Sequence, residues 1–153
     1  MRYLIDGHNL IGRAPGMHLG AADDEAQLAS LLRAFLLRTR STATVYFDRG
    51  DPGASDPAPA AGLTVRFVPR PRSADQAILH HLARLRGQAS RWTVVSSDGE
   101  IQRAAKRAGA RLVPSEDFAR QLQTALTQAD PEKPAAPTSP EDLADWERLF
   151  RRR

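Results

Sequence analysis

Short apolar runs alternate along the chain with segments in which apolar residues recur every three or four positions. The runs at 2–6, 44–48, 63–68, 92–96 and 111–113 predict strands. The segments at 24–38, 74–86, 99–108 and 116–128 predict helices. In the first of these, Leu28, Leu31, Leu32, Phe35 and Leu36 fall on one face. Strands that alternate with helices point to an α/β fold with a parallel sheet and crossover helices.

Polar residues at the junctions sharpen the boundaries. Ser73 with Gln76, and Ser97 with Glu100, have the spacing of a capping box, in which the serine oxygen accepts a backbone N–H. Ser115 stands before Glu116 and Asp117, acids suited to the positive end of a helix dipole. The stretch 49–62 is dense in Pro, Gly and Ala and predicts a loop. The chain therefore divides into a domain at 1–128, a proline-rich linker at 129–139 and a terminal segment at 140–153. Ser139 and Pro140 suit the start of a last helix, whose Leu143, Trp146, Leu149 and Phe150 form an apolar stripe expected to pack back on the domain.

Three of the apolar runs stop at an acid. The first ends at Asp6, the second at Asp48, and the fourth passes through Ser96 and Ser97 into Asp98. In a parallel sheet these ends share one edge, where ligands gather at the point at which strand order reverses. Asp75, in the first turn after Ser73, starts a helix at the same edge. Each acid alone has an ordinary explanation as a turn or helix-start residue. Together they predict a carboxylate cluster. Such a cluster repels itself unless a cation neutralises it. With oxygen donors and no cysteine, the expected ion is Mg²⁺ or Mn²⁺, held jointly where Asp6, Asp48, Asp75 and Asp98 converge. A hard cation of this kind lowers the pKa of a water and stabilises charge on a phosphodiester undergoing in-line attack. Gly7 is expected to let the backbone turn sharply, and the Asn9 amide to orient Asp6 or a metal water.

Composition narrows the setting. Zero cysteines exclude a disulfide framework and thiolate metal sites. Asp6 interrupts the only N-terminal apolar run, so a signal peptide is not expected, and no stretch reaches the roughly 18 apolar residues of a membrane span. A cytoplasmic protein without membrane partners is the expectation. The net charge of +4 suggests a polyanionic partner.

The segments DGHNLI, VYFD, SADQAILHHL and VVSSDGEIQRAAKRAGARLVPSEDFARQL together resemble the YacP-like branch of the NYN domains, within the PIN-like nucleases. The resemblance covers roughly residues 2–126. It implies a PIN-like three-layer α/β/α sandwich with a mostly parallel central sheet, and a metal-dependent endoribonuclease. For some members it implies action on mRNA at ribosomes. Carried over by position, Asp6, Asp75 and Asp98 match the motif acids, Asn9 their polar companion, and Asp48 the acid closing the second strand.

For single-stranded RNA, the arginines flanking the predicted edge supply phosphate contacts: Arg13, Arg49, Arg70 and Arg72. Arg103, Lys106 and Arg107 read as solvent-facing charge. His80 and His81 are neighbours on a helix and point apart, which argues against shared metal binding. Two functions remain open on this reading. One is an endoribonuclease, the other a non-catalytic RNA- or ribosome-binding module that keeps the fold.

Overall fold

The five apolar runs form a single sheet in which every strand is parallel to its neighbours. The strands are β1 (Arg2–Asp6), β2 (Thr42–Arg49), β3 (Leu63–Pro69), β4 (Trp92–Val95) and β5 (Arg111–Val113), in the spatial order β3-β2-β1-β4-β5. The computed structural model describes residues 1–14, 24–49 and 56–127, apart from the side chain of Arg49. The linker at 129–139 and the terminal segment at 140–153, including Trp146 and its stripe, lie outside the described residues.

Side-chain alternation divides the core into two layers. Tyr3, Ile5, Val45, Phe47, Val65 and Val95 pack on one side of the sheet against α2 (Asp24–Thr39) and α5 (Ser115–Thr127). Leu4, Tyr46, Val68 and Val94 pack on the other against α3 (Ala74–Leu85) and α4 (Gly99–Ala108). A sheet covered on both faces needs strands that are apolar throughout, which is why the runs lack a clean polar alternation. The result is an α/β/α sandwich with an all-parallel sheet.

The boundaries move in places. The second strand begins at Thr42 and reaches Arg49, and the fourth ends at Val95. Two elements carry no periodicity long enough to be read from sequence: a five-residue helix, α1 (Gly7–Ile11), and a 3₁₀ turn, Arg86–Arg91.

The expected capping box at Ser73 is formed, with Gln76 N–H donating to Ser73 Oγ and Ser73 N–H to the Gln76 side chain. The one expected at Ser97 is not. Asp98 is the N-cap of α4, its Oδ1 accepting from the N–H groups of Glu100 and Ile101. Gly7 is not a sharp turn either. A Cβ there would overlap the Phe47 ring, so glycine permits the β1–α1 junction to touch β2.

Candidate active site

Strand order places the site. From β1 the chain builds outward to β2 and β3 on one side, and β4 and β5 fill the other, so order reverses between β1 and β4. The crevice at their carboxyl ends is where a doubly wound sheet binds its ligand.

Parity places the carboxylates. Leu4, Tyr46 and Val94 face the α3/α4 layer, and two residues further along each strand come Asp6, Asp48 and Ser96. The side chains on this face meet the N-termini of α3 and α4, which bring Asp75 and Asp98. Asp6 is only 6 % exposed. Its Oδ2 accepts from Ser96 Oγ at 3.2 Å, and the same hydroxyl oxygen accepts the Asp98 N–H at 3.0 Å. Ser96 is itself oriented by Gln102, whose side-chain amide donates to the Ser96 carbonyl at 3.0 Å.

Burial pushes the Asp6 carboxyl up to about 6, and the nearby Asp75 pushes in the same direction. Bonds from the Ser96 hydroxyl and the Asn9 backbone N–H oppose the rise without cancelling it, and Asp98 adds further repulsion. Asp75 is raised too, first by burial and then by Asp98, Asp48 and Glu100. Acids from separated positions thus act on one another, with Asp75 at their centre.

Asp48 has a second duty. Its Oδ1 accepts the Ala74 N–H at 2.7 Å, which fixes the first turn of α3 and so the position of Asp75. The Asn9 side chain does not reach for Asp6 as expected. Its Oδ1 accepts from Ser97 N–H at 2.9 Å and Ser115 Oγ at 2.6 Å, tying α1 to the β4 exit and the start of α5. Ser97 Oγ accepts the Ser115 N–H at 2.9 Å and donates to Glu116 Oε2 at 2.8 Å. That bond is the first cause holding the Glu116 carboxyl below its ordinary range. Glu116 Oε1 in turn accepts from Arg13 Nη1 at 2.7 Å.

Whether the acids fit a divalent ion is a question of donors and of closure. The donors fit: they are carboxylate oxygens that repel one another, and the imidazole of His8, in the helix that follows Asp6, is held by Glu25 at 2.7 Å. Closure is incomplete. No group of three Asp, Glu or His side chains among the described residues is gathered tightly enough to hold one metal, so the joint cage expected of Asp6, Asp75 and Asp98 is not preformed. Mg²⁺ usually keeps several waters and takes only one or two carboxylates directly, and an ion of that kind suits this arrangement.

Comparisons with known proteins give the family and the fold. A family model described as the YacP-like NYN domain matches residues 3–148. The chain belongs to the YacP-like NYN domain family. No curated protein sequence matches the chain. Two crystal structures of Rae1 (YacP) from Bacillus subtilis share the fold at 23% identity. One, of the W164L mutant, has a TM-score of 0.66 and aligns over 81% of this chain and 76% of its own. The other has a TM-score of 0.67, over 82% and 75%. Membership of the NYN family supports a nuclease-like, RNA-related function. The family match also reaches residue 148, past the end of the sequence resemblance near residue 126 and across the proline-rich linker.

Within this NYN domain the arginines expected to hold phosphate have different surroundings. Arg13 is engaged by Glu116. Arg70 and Arg72 are exposed in the turn between β3 and α3. The side chain of Arg49 lies outside the described residues. No helix among the described residues is long and apolar enough to cross a membrane. Sequence reasoning missed the roles of Ser96, Ser97, Ser115 and Glu116. The signal was present in the paired serines before Asp98, but helix capping accounted for them too readily.

Proposed function

We propose that the chain is a divalent-metal-dependent endoribonuclease that hydrolyses phosphodiester bonds in single-stranded RNA, with mRNA at ribosomes as its setting. The observation that carries this reading is the buried Asp6 carboxylate at the β1/β4 switch point, destabilised by Asp75 and Asp98. A carboxylate left in that state is a strong attractor for a cation. Asp6, Asp75 and Asp98 would hold Mg²⁺ or Mn²⁺, with Asp48 fixing the helix that carries Asp75.

The bound ion would supply Lewis-acid stabilisation of charge developing on the phosphodiester and a more acidic water. The chain's own residues prepare the site. Ser96 holds the Asp6 carboxylate in one orientation and is held by Gln102. Asn9 and Ser97 lock α1, the β4 exit and α5 into one rigid floor. A bound cation would favour the ionised form of Asp6 against the burial and repulsion that raise it.

The test is cleavage of labelled single-stranded RNA in Mg²⁺ or Mn²⁺ by wild type, Asp6→Asn and Asp98→Asn. Cleavage by wild type that disappears in both variants is expected. Equal cleavage by all three would overturn the reading. The incomplete closure of the acids favours a second reading, an RNA- or ribosome-binding module without catalysis. Wild type that binds RNA yet leaves it intact in every metal tested would establish that one instead.

A further inference from the structure

Strand order leaves one part of the sheet uncovered. Helix α3 leaves the end of β3 and crosses β2 and β1 to reach β4, so among the described residues the edge strand β3 keeps an open face on the α3 side. The opening is a groove of about 510 Å³ between the β2/β3 surface and α3. That volume falls within the range of small-ligand pockets. Alternation directs Arg66 of β3 and Tyr46 of β2 into it. From α3 come His80, His81 and Arg84; with Ala77 they stand at i, i+3, i+4 and i+7, a face broad enough that the two histidines expected to point apart both line the groove. Arg72, in the turn three residues before Asp75, also lines it.

The charge in this groove is one-sided. Among the described residues, three guanidiniums line it against a single carboxylate, Asp56. Asp56 is shared: its Oδ1 accepts the Phe67 N–H at 2.8 Å, while its Oδ2, 3.9 Å from Arg66, loosely pairs that groove arginine. Among the described residues Arg72 and Arg84 form no ion pair. All three arginines act on the Tyr46 hydroxyl, pulling its pKa down against the rise caused by burial. His81, whose Nδ1 is 3.0 Å from that hydroxyl, is held below its ordinary range by burial and by Arg84 and Arg66. It is therefore neutral at pH 7, and the groove keeps its positive charge on exposed arginine forks. Exposed guanidiniums with so little carboxylate competition, around a polar floor, form a receptor for phosphate groups.

We propose that this groove between β2/β3 and α3 is an RNA-backbone site, in which Arg66, Arg72 and Arg84 hold phosphodiesters of a strand that continues past Arg72 to the carboxylate edge. The continuation to that edge rests on the nuclease reading. The groove's affinity for RNA does not. The ligand proposed is a polymer rather than a free nucleotide, because the groove is open along the sheet edge and its three arginines, from a strand, a turn and a helix, are all exposed.

The experiment measures binding of a fluorescently labelled single-stranded RNA to the full chain by anisotropy, with a chelator present to prevent cleavage, across a salt series. Arg66→Ala/Arg84→Ala is expected to lower affinity at least tenfold. It should also flatten the log–log salt dependence by about 1.4, at about 0.7 per lost phosphate contact on a single strand. Arg66→Lys/Arg84→Lys should retain most of the slope. Arg103→Ala/Arg107→Ala, on the exposed face of α4, should change neither quantity. A melting curve for each variant separates lost contacts from lost folding. Unchanged affinity and slope in the Arg66/Arg84 variant, or no RNA binding by wild type, overturns the proposal. Inorganic phosphate or a mononucleotide displacing RNA equally well at every RNA length would also overturn it, in favour of a small-anion site. Cleavage in Mn²⁺ on the same preparations keeps the two readings apart. Cleaving wild type with groove variants that bind normally removes the groove and leaves the nuclease. Non-cleaving wild type with groove variants that lose RNA removes the nuclease and leaves the groove.

Discussion

Ser96 donates its hydroxyl to Asp6 across 3.2 Å, joining two residues ninety positions apart at the one place where strand order in the sheet reverses. The Ser96 oxygen also accepts the Asp98 N–H, so one side chain ties two of the candidate ligands together. The site is therefore organised through serine hydroxyls and backbone amides, and its acids remain in electrostatic conflict.

That conflict sets a pH dependence. Asp6 has a folded-state value of about 6 against an ordinary 3.8, so between those values the folded chain binds more protons than the unfolded one. Stability must then fall as pH rises through that window and level off above it. The loss due to Asp6 is on the order of 3 kcal/mol. In chelator, Asp6→Asn should be more stable than wild type at about pH 7.5, with the gap closing towards about pH 4. Urea melts of both proteins across this range measure it, and a gap independent of pH would mean that Asp6 ionises normally.

A divalent cation relieves the same repulsion. Mg²⁺ or Mn²⁺ should raise the melting temperature of wild type at neutral pH, and removal by chelator should reverse the gain. At roughly a hundredfold excess over Kd, the stabilisation is about 2.7 kcal/mol. Asp6→Asn and Asp75→Asn should respond weakly or not at all. Equal thermal shifts in wild type and both variants would locate the ion elsewhere.

Gly7 is required by contact with Phe47. Because a Cβ at this position would overlap the ring, Gly7→Ala should cost about 1–3 kcal/mol through overpacking. Trimming the ring in Gly7→Ala/Phe47→Leu should recover part of that loss. A double-mutant cycle on chemical denaturation gives the coupling, and strict additivity would show that the two positions do not touch.

Asn9 is a positioning residue. Asn9→Ala leaves the Ser97 N–H without its acceptor and removes one partner of the buried Ser115 hydroxyl, at a cost of about 1–3 kcal/mol. RNA cleavage should lose kcat with little change in KM, because the edge is displaced while the basic groove is untouched. Asn9→Asp, which keeps an oxygen acceptor, should recover more of the rate than Asn9→Ala. A loss confined to KM would instead place Asn9 in substrate binding.

Most of the sheet was readable because its strands are continuous apolar runs, and the helices because their faces repeat. The short helix at Gly7–Ile11 was not, since five residues hold little more than one turn and DGHNLI reads equally well as loop. Asp6, Asp48, Asp75 and Asp98 were legible as acids at element boundaries. Their partners were not. Ser97 looked like a cap by spacing, yet Asp98 takes that position and frees the serine for Glu116 and Ser115. Arg13 reads as a phosphate contact in the sequence, and its pairing with Glu116, 103 positions away, is visible only in the fold.

By itself the sequence determined the alternation of strands and helices, the carboxylates at their ends and the absence of sulfur ligands, because these follow from local periodicity and residue chemistry. Tertiary structure decided that β1 lies between β2 and β4, that Asp6 is buried against Ser96, and that β3 leaves a basic groove open beside α3. Those are pairings between distant segments. Their outcome depends on which helix crosses which strand, and no window of neighbouring residues records it.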